Sequence, residues 1–464
     1  MVARRIPAHI SQMRRSEVVI IGAGFAGLEV AKALGRAGIA TTLIDRSNHH
    51  LFQPLLYQVA TAALSAVDVA EPIRKILRDY KSVRVVFGEA SRVDLARKQV
   101  ELSNGQAIEF RYLVLASGAT HGYFGRDEWG RWAPGLKTME DARKIRSRLL
   151  LTFERAEQTD DPMEQERLLT IAIIGGGPTG VEMAGAIAEL CRFTLARDFR
   201  SIAPEAAKIM LVEAGPRLLS GFSPEASTYA RTRLERLGVS VSLGQAVDHV
   251  DARSISIAGT KMPVGLVVWA AGVSASPLAR QLGETDKAGR IAVNQLLQVS
   301  GCGDVFAIGD VATFLDENQR ALPGLAQVAK QQGIHLGRGL SSLILAGEPL
   351  RPFQYRSRGN TAIVGRHAAV FELGSFKIRG WSAWLSWAII HVYLLVGFQN
   401  RLFVSLRWLW RYLTYERGAR LIAGDFMDSD VGSPTGPTNE VSSLHELRVA
   451  EQREDDAPTK KLGR

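Results

Sequence analysis

Apolar runs broken by glycine recur along this chain in a fixed rhythm. Val18 to Ile21 are continuously apolar, a glycine cluster follows at once, and apolar positions then recur at helical spacing as far as Gly38. A second strand, Ile39 to Ile44, ends at Asp45. Short runs without polar alternation fit strands buried on both faces, the pattern of a parallel sheet. The order strand, glycines, helix, strand repeats at LLTIAIIGGGPTGVEMAGAIAEL, and the following run, KIMLVEAG, carries Glu213 at its end. RYLVLASGAT (Arg111 to Thr120), GLVVWAAGV (Gly265 to Val273) and VFAIGD (Val305 to Asp310) add strands that stop at small residues. GLAQVAKQQGIHLG, from Gly324 to Gly337, opens another helix. The pattern predicts an α/β chain with two Rossmann-like dinucleotide-binding domains.

The glycine spacing says what such loops hold. Gly22 permits a tight turn, Gly24 lets backbone approach a pyrophosphate across Phe25 and Ala26, and Gly27 lets helix and strand pack closely. Phosphates then sit on the exposed N–H groups at the helix N-terminus. Asp45, followed by Arg46, lies where a carboxylate accepts bonds from ribose hydroxyls. Gly175, Gly177 and Gly180 repeat the arrangement with Glu213 as the acid, and an acid there repels a 2′-phosphate, so NADH is expected over NADPH. Arg217 nearby reads as a surface arginine. Ser117-Gly118 and Gly272 end the strands that return the chain past each nucleotide. Two such units suggest two nucleotides, one of them a flavin.

The 464 residues suffice for two or three domains, and 46% hydrophobic against 22% charged is ordinary for a globular protein. Cys191 and Cys302 are the only cysteines and stand far apart, which excludes a dithiol redox centre and argues against a metal site. The net charge of +10 points to nucleic acid or an anionic membrane. From Leu373 to Tyr415 there is no Asp or Glu, and five of the eight tryptophans fall there, which favours a lipid interface over nucleic acid. Residues 1–16 and 428–464 read as disordered extensions.

An apolar strand ending in Gly309-Asp310 puts a carboxylate beside the ribityl and pyrophosphate region of FAD. The whole set, from Glu17 to about Phe371, resembles the two-dinucleotide-binding-domain flavoproteins of glutathione-reductase-like fold, in which the NAD domain is inserted into the FAD domain. The expected FAD-binding domain is 17–140 with 287–375, and the expected NADH-binding domain is 141–286. NHHLFQPLLYQVA (Asn48 to Ala60), AQVAKQQG (Ala326 to Gly333) and TAIVGRHAAV (Thr361 to Val370), with the tryptophan-rich end, further resemble the type II NADH:quinone oxidoreductases, single-subunit enzymes that do not pump protons.

That resemblance implies a quinone site beside the first turns of the helix at Ala326. Gln327 and Gln331 are four apart and share a face, and Ala326 and Ala329 leave room for a flat ring. The Gln327 amide is then expected near a quinone carbonyl, although either glutamine could instead cap the helix or bond the flavin. Glu182 is read as orienting nicotinamide or as a proton station near quinone, or else as an N-terminal carboxylate stabilised by the helix dipole. His49 and His50 are expected to pack, and Tyr57 to line the flavin pocket.

Residues 376–427 read as membrane-anchoring amphipathic helices. In Trp381 to Phe398, Ser382, Ser386, Tyr393 and Gly397 form one stripe. Farther on, Leu402, Phe403, Leu406, Leu409, Trp410 and Leu413 make one face, with Arg401, Arg407 and Arg411 projecting from the other toward anionic headgroups. The expectation is a monotopic protein on the cytoplasmic face of the inner or plasma membrane, with a membrane span or a homodimer through these helices as alternatives. A soluble NADH oxidase or ferredoxin reductase, or a non-catalytic NADH-sensing flavoprotein, are the competing functions.

Overall fold

The computed structural model describes residues 15–395, 398–414 and 420–422. Most of both tails therefore lies outside the described residues, although strand β1 (Arg15–Ile21) begins two residues inside the first of them. Val18, Val19 and Ile20 are fully buried. They must be, because β1 is flanked on both sides by parallel strands, β2 (Thr41–Asp45) and a later strand beginning at Ala107.

The first sheet also contains β3 (Val83–Phe87), β4 (Ala90–Asp94), β5 (Gln99–Leu102) and β6 (Ala107–Leu115), in the order β3-β2-β1-β6-β5-β4. A second sheet of four parallel strands follows: β7 (Thr170–Ile174), β8 (Lys208–Glu213), β9 (Val239–Leu243) and β10 (Leu266–Trp269), in the order β9-β8-β7-β10. The chain then returns to the first sheet, where β11 (Val305–Ala307) pairs parallel with β6. A small antiparallel sheet, β12 (Asn360–Gly365), β13 (Ala368–Leu373) and β14 (Phe376–Gly380), precedes the C-terminal helices. Residues 376–380, read as the start of the anchor, are thus sheet.

The helices are α1 (Phe25–Arg36), α2 (Leu56–Ala60), α3 (Met139–Gln158), α4 (Pro178–Phe193), α5 (Pro224–Arg236), α6 (Ala326–Ala346), α7 (Trp381–Leu394) and α8 (Phe398–Thr414). α6 lies directly on α1. The contact is backbone to backbone, because a Cβ on Gly333 would collide with Ala26 O and one on Gly337 would meet Ala33 Cβ at 2.7 Å. Glycines spaced four apart therefore bring α6 close to α1.

Candidate active site

The first glycine loop opens onto a cavity of about 1690 Å³. Gly22 has φ +103°, and a Cβ there would run into the Ala116 carbonyl; one on Gly27 would strike the Gly22 carbonyl. Gly24 faces open space and begins α1 without a side-chain cap, leaving the first amides of the helix available to an anion. Asp45 accepts the amides of Ala23 and Ser47, each at 2.6 Å. Burial raises its pKa above the ordinary aspartate value, against the pull of those amides. Gly22, Gly24, Phe25, Ala26, Asp45, Arg46, Ser117, Gly118, Gly309, Asp310 and Ala326 all line this cavity. The Ser117 hydroxyl is buried there without a hydrogen-bond partner among the described residues. A second hollow, about 1290 Å³, continues from Asp45, Arg46 and Ser117 toward Glu89 and Ser103.

Three further residues support the site. Lys137 lines the cavity and donates to Asp310 at 3.4 Å. Gln332, almost fully buried, accepts the Gly309 amide at 2.7 Å and so fixes the turn that presents Asp310. The His50 ring packs edge-on to Phe25 and donates from Nδ1 to Ala23 O at 2.9 Å. Burial lowers its pKa, so it stays neutral as a brace for the loop.

The second loop repeats the first. Gly175 has φ +109° and sits against Ala270, while Gly180 abuts the Gly175 carbonyl. Gly177 faces open space and begins α4 without a side-chain cap. Glu213 accepts Gly176 N–H at 2.5 Å and Gly215 N–H at 2.6 Å. Arg217 is committed elsewhere, donating to Phe222 O at 2.6 Å, Ser220 O at 2.7 Å and Ser227 Oγ at 2.9 Å. Gly272 is covered by Phe124, whose ring would lie 2.9 Å from any Cβ there.

Gln327 and Gln331 do not line either this cavity or the next one. Gln327 donates to Gly359 O at 2.9 Å and accepts Arg358 N–H at 3.0 Å. Gln331 donates to Arg356 O at 2.9 Å and accepts Arg356 N–H at 3.1 Å. His335, one turn farther, donates from Nε2 to Arg351 O at 2.8 Å. One face of α6 thus forms a ladder that holds the irregular segment 351–359 through its backbone. The Gln327 amide, expected near a quinone carbonyl, is bonded to this strap.

The strap leads into β12, and β12 walls a second cavity of about 790 Å³. Trp384, Trp387 and Ala388 of α7, Trp408 of α8, Ala186 of α4 and Ile363 of β12 line it. Tyr57 and Glu182 are the two residues common to both cavities. Glu182 stands in the first turns of α4, and its carboxylate accepts Ile363 N–H at 3.3 Å. Burial pushes its pKa up to about 8, with only that one amide opposing. A protonated carboxyl at neutral pH, between two cavities, is equipped to donate a proton.

The C-terminal helices are tied to this wall. Trp408 donates to Gln58 Oε1 at 2.9 Å, and Gln58 donates to the Tyr57 hydroxyl at 3.0 Å. Trp387 stacks on His391 at 4.3 Å, and His391 meets Phe52 edge-on at 6.2 Å. Two arginines expected to face headgroups are used inside the fold: Arg407 pairs with Asp68, and Arg401 donates to Leu395 O at 2.9 Å. The Arg411 side chain lies outside the described residues.

Two Rossmann-type sheets, each closing on an uncapped helix and a strand-end acid, define a flavin- and pyridine-nucleotide-binding class. A family profile described as pyridine nucleotide-disulphide oxidoreductase matches residues 16–333. The type II NADH:quinone oxidoreductase Ndh of Mycobacterium tuberculosis is 39% identical over 420 residues, covering 87% of this chain and 90% of that protein. The internal alternative NAD(P)H-ubiquinone oxidoreductase A1 of Arabidopsis thaliana mitochondria is 29% identical over 428 residues, covering 85% and 84%. In fold, the chain matches NDH2 from Plasmodium falciparum, solved in complex with NADH, with a TM-score of 0.81 at 20% identity over 89% of this chain and 100% of that one. The chain belongs to the pyridine nucleotide-disulphide oxidoreductase family and, within it, to the type II NADH:quinone oxidoreductases.

Proposed function

We propose that the chain is a respiratory NADH dehydrogenase, passing electrons from NADH through FAD to a membrane quinone without pumping protons. The observation that carries this reading is the meeting of two cavities at Tyr57 and Glu182, one bordered by the nucleotide loops and the other by tryptophans. The first suits FAD: its open Gly24, its uncapped helix and its unpartnered Ser117 hydroxyl match a pyrophosphate and a polar ring edge. Flavin, when bound, accepts a hydride and passes on electrons, chemistry that no side chain here supplies.

The chain's own residues position and protonate. Gly22, Gly24 and Gly27 with Asp45 hold the adenosine diphosphate half of FAD, and Asp310, supported by Lys137 and Gln332, faces the rest. Gly175, Gly177, Gly180 and Glu213 hold NADH, with Gly272 beside its path. The second cavity takes the quinone ring between apolar walls, and Glu182 holds a proton at its inner end. Residues 17–140 and 287–375 form the FAD domain and 141–286 the NADH domain, as read from the sequence.

α7 and α8 are the membrane-facing part. No helix among the described residues is long and apolar enough to cross a membrane. Ile389 of α7 and Leu402, Phe403, Leu406, Leu409 and Trp410 of α8 are nonetheless exposed. Such a row suits insertion into one leaflet, at the cytoplasmic face where NADH is found. Whether that row instead joins two copies is decided by the same vesicle experiment described below.

The test is direct. The purified protein should be yellow, anaerobic NADH should bleach its flavin absorbance, and a water-soluble quinone should restore it. A flavin that NADH reduces but quinone leaves reduced would sink the quinone reductase reading and favour a ferredoxin reductase or an NADH sensor.

A further inference from the structure

The second cavity has a second carboxylate in its wall. Glu189 follows Glu182 by seven residues on α4, two turns along the same face and about 10 Å away along the helix. Glu189 lines the second cavity but not the first, and Thr194, at the end of α4, lines it too. Glu189 is only 9% exposed. Its carboxylate accepts the Arg366 amide, and a Cβ on Gly365 would stand 3.0 Å from Glu189 Oε1. The sequence keeps that contact open with a glycine.

Charged groups surround it from three elements. Arg366 and His367 come from the turn between β12 and β13; the Arg366 amide donates to Glu189, and Arg366 and Glu189 both act electrostatically on His367. Arg233 of α5 reaches the same cluster. Arg192 stands one turn beyond Glu189 on α4, against Gly238. A nearly buried acid among these bases is a costly arrangement for a helix that needs only apolar packing, so a role in transfer is worth testing.

The reaction proposed above supplies the reason. Written out, NADH + H⁺ + quinone → NAD⁺ + quinol: the hydride brings two electrons and one proton, and one further proton must come from solvent in every turnover. Trp384, Trp387, Ala388 and Trp408 carry no carboxyl or hydroxyl that could pass it on. The α4 side offers Glu182, Glu189 and Thr194. We infer that Glu189 is the relay by which solvent protons reach Glu182, through water held along the α4 wall, so that Glu182 is reprotonated after it gives its proton to the quinone oxygen. Glu189 stands two turns along α4 from Glu182 and acts through it. A proton that arrives is retained, because burial gives Glu182 a pKa of about 8.

The inference rests on the quinone reductase reading, and the experiment separates the two. In holoenzyme E189Q, flavin reduction by NADH should match wild type. Reoxidation by a water-soluble quinone should slow about a hundredfold at neutral pH, at the low end of what lost acid–base transfer costs, and should show a larger solvent deuterium effect. E189D, with the carboxylate drawn back by one methylene, should fall between. A second readout is independent of turnover. The infrared carboxyl band of Glu182, assigned by its loss in E182Q, should exchange into D₂O more slowly in E189Q than in wild type. Should E189Q fail to fold, E189D carries the same comparison, slower exchange supporting the relay. Equal reoxidation and equal exchange in variant and wild type would overturn it while leaving quinone reduction intact. A wild-type flavin that quinone cannot reoxidise would overturn the parent reading instead.

Discussion

Glu213 and Asp45 hold one position in two different sheets. Each ends the strand next to its glycine-loop strand, and each accepts the amide of the residue after the loop's first glycine, from Gly176 at 2.5 Å and from Ala23 at 2.6 Å. The other oxygen of each accepts an amide two residues on, from Gly215 and Ser47, both at 2.6 Å. Four lone-pair sites per carboxylate leave room for ribose hydroxyls beside these amides. The backbone thus aims both acids before any nucleotide arrives.

At Glu213 this geometry makes nucleotide choice testable. E213Q keeps the shape but removes the charge that accepts ribose hydroxyls and repels a 2′-phosphate. KM for NADH should rise about tenfold, equivalent to about 1.4 kcal/mol, with kcat little changed. Preference for NADH over NADPH should shrink without reversing, because Arg217 is already bonded to three acceptors and cannot turn to a phosphate. Steady-state kinetics with both nucleotides measure this; an unchanged NADH KM would remove Glu213 from the site.

Glu182 sets a pH window. Its ordinary pKa of 4.5 rises to about 8 in the folded chain. The folded state therefore holds a proton that the unfolded state has lost between those values, so stability falls as pH climbs through the window and is level above it. E182Q cannot titrate, and its melting temperature should lack that decline; the difference is on the order of a few kcal/mol across the window. Quinone reduction by wild type should fall above about pH 8, where Glu182 ionises. Parallel melting curves for the two proteins from pH 4.5 to 8 would contradict the raised pKa.

The two strand–glycine–helix units were legible because parallel strands such as Val18 to Ile21 leave no alternation, and because Gly22 and Gly27 are demanded by carbonyls a Cβ would strike. The site's supports were not. A glutamine donates and accepts with equal ease, so nothing local told Gln327 and Gln331, bonded to a strap, from Gln332, which fixes the Gly309 turn. The strap itself has no periodicity to read. Arg407 looked like a headgroup ligand because its partner, Asp68, lies 339 residues earlier in the chain. Lys137 sits in a loop whose only signal was its charge.

The membrane docking proposed for α8 rests on its exposed row, since Arg407 and Arg401 also bond within the fold. F403E with L406E places two charges on side chains that are 54% and 53% exposed, where they disturb no core. Sedimentation with anionic vesicles should be lost, while reduction of a water-soluble quinone should persist. If the row were a dimer face, the same variant would still sediment but run as a smaller species in size-exclusion chromatography. Retained sedimentation would therefore refute the anchor.

The glutamine ladder ties α6 to the strap that leads into β12, a wall of the proposed quinone cavity, without lining that cavity. Q331A removes two bonds to Arg356, and H335A removes one to Arg351. At such part-exposed sites each bond contributes about 1 kcal/mol, so the double variant should lose about 2–3 kcal/mol. The larger effect should be local. A loosened strap lets β12 shift, and β12 carries both the Ile363 amide on Glu182 and the Gly365 edge of the second cavity. KM for quinone should rise several-fold while flavin reduction by NADH keeps its rate, because the Gly175 loop and Glu213 are untouched. H335A alone decides between support and direct contact: its ring lines neither cavity, so a raised quinone KM there can arise only through the strap. An unaltered quinone KM in both variants would mean that β12 holds its place without the ladder.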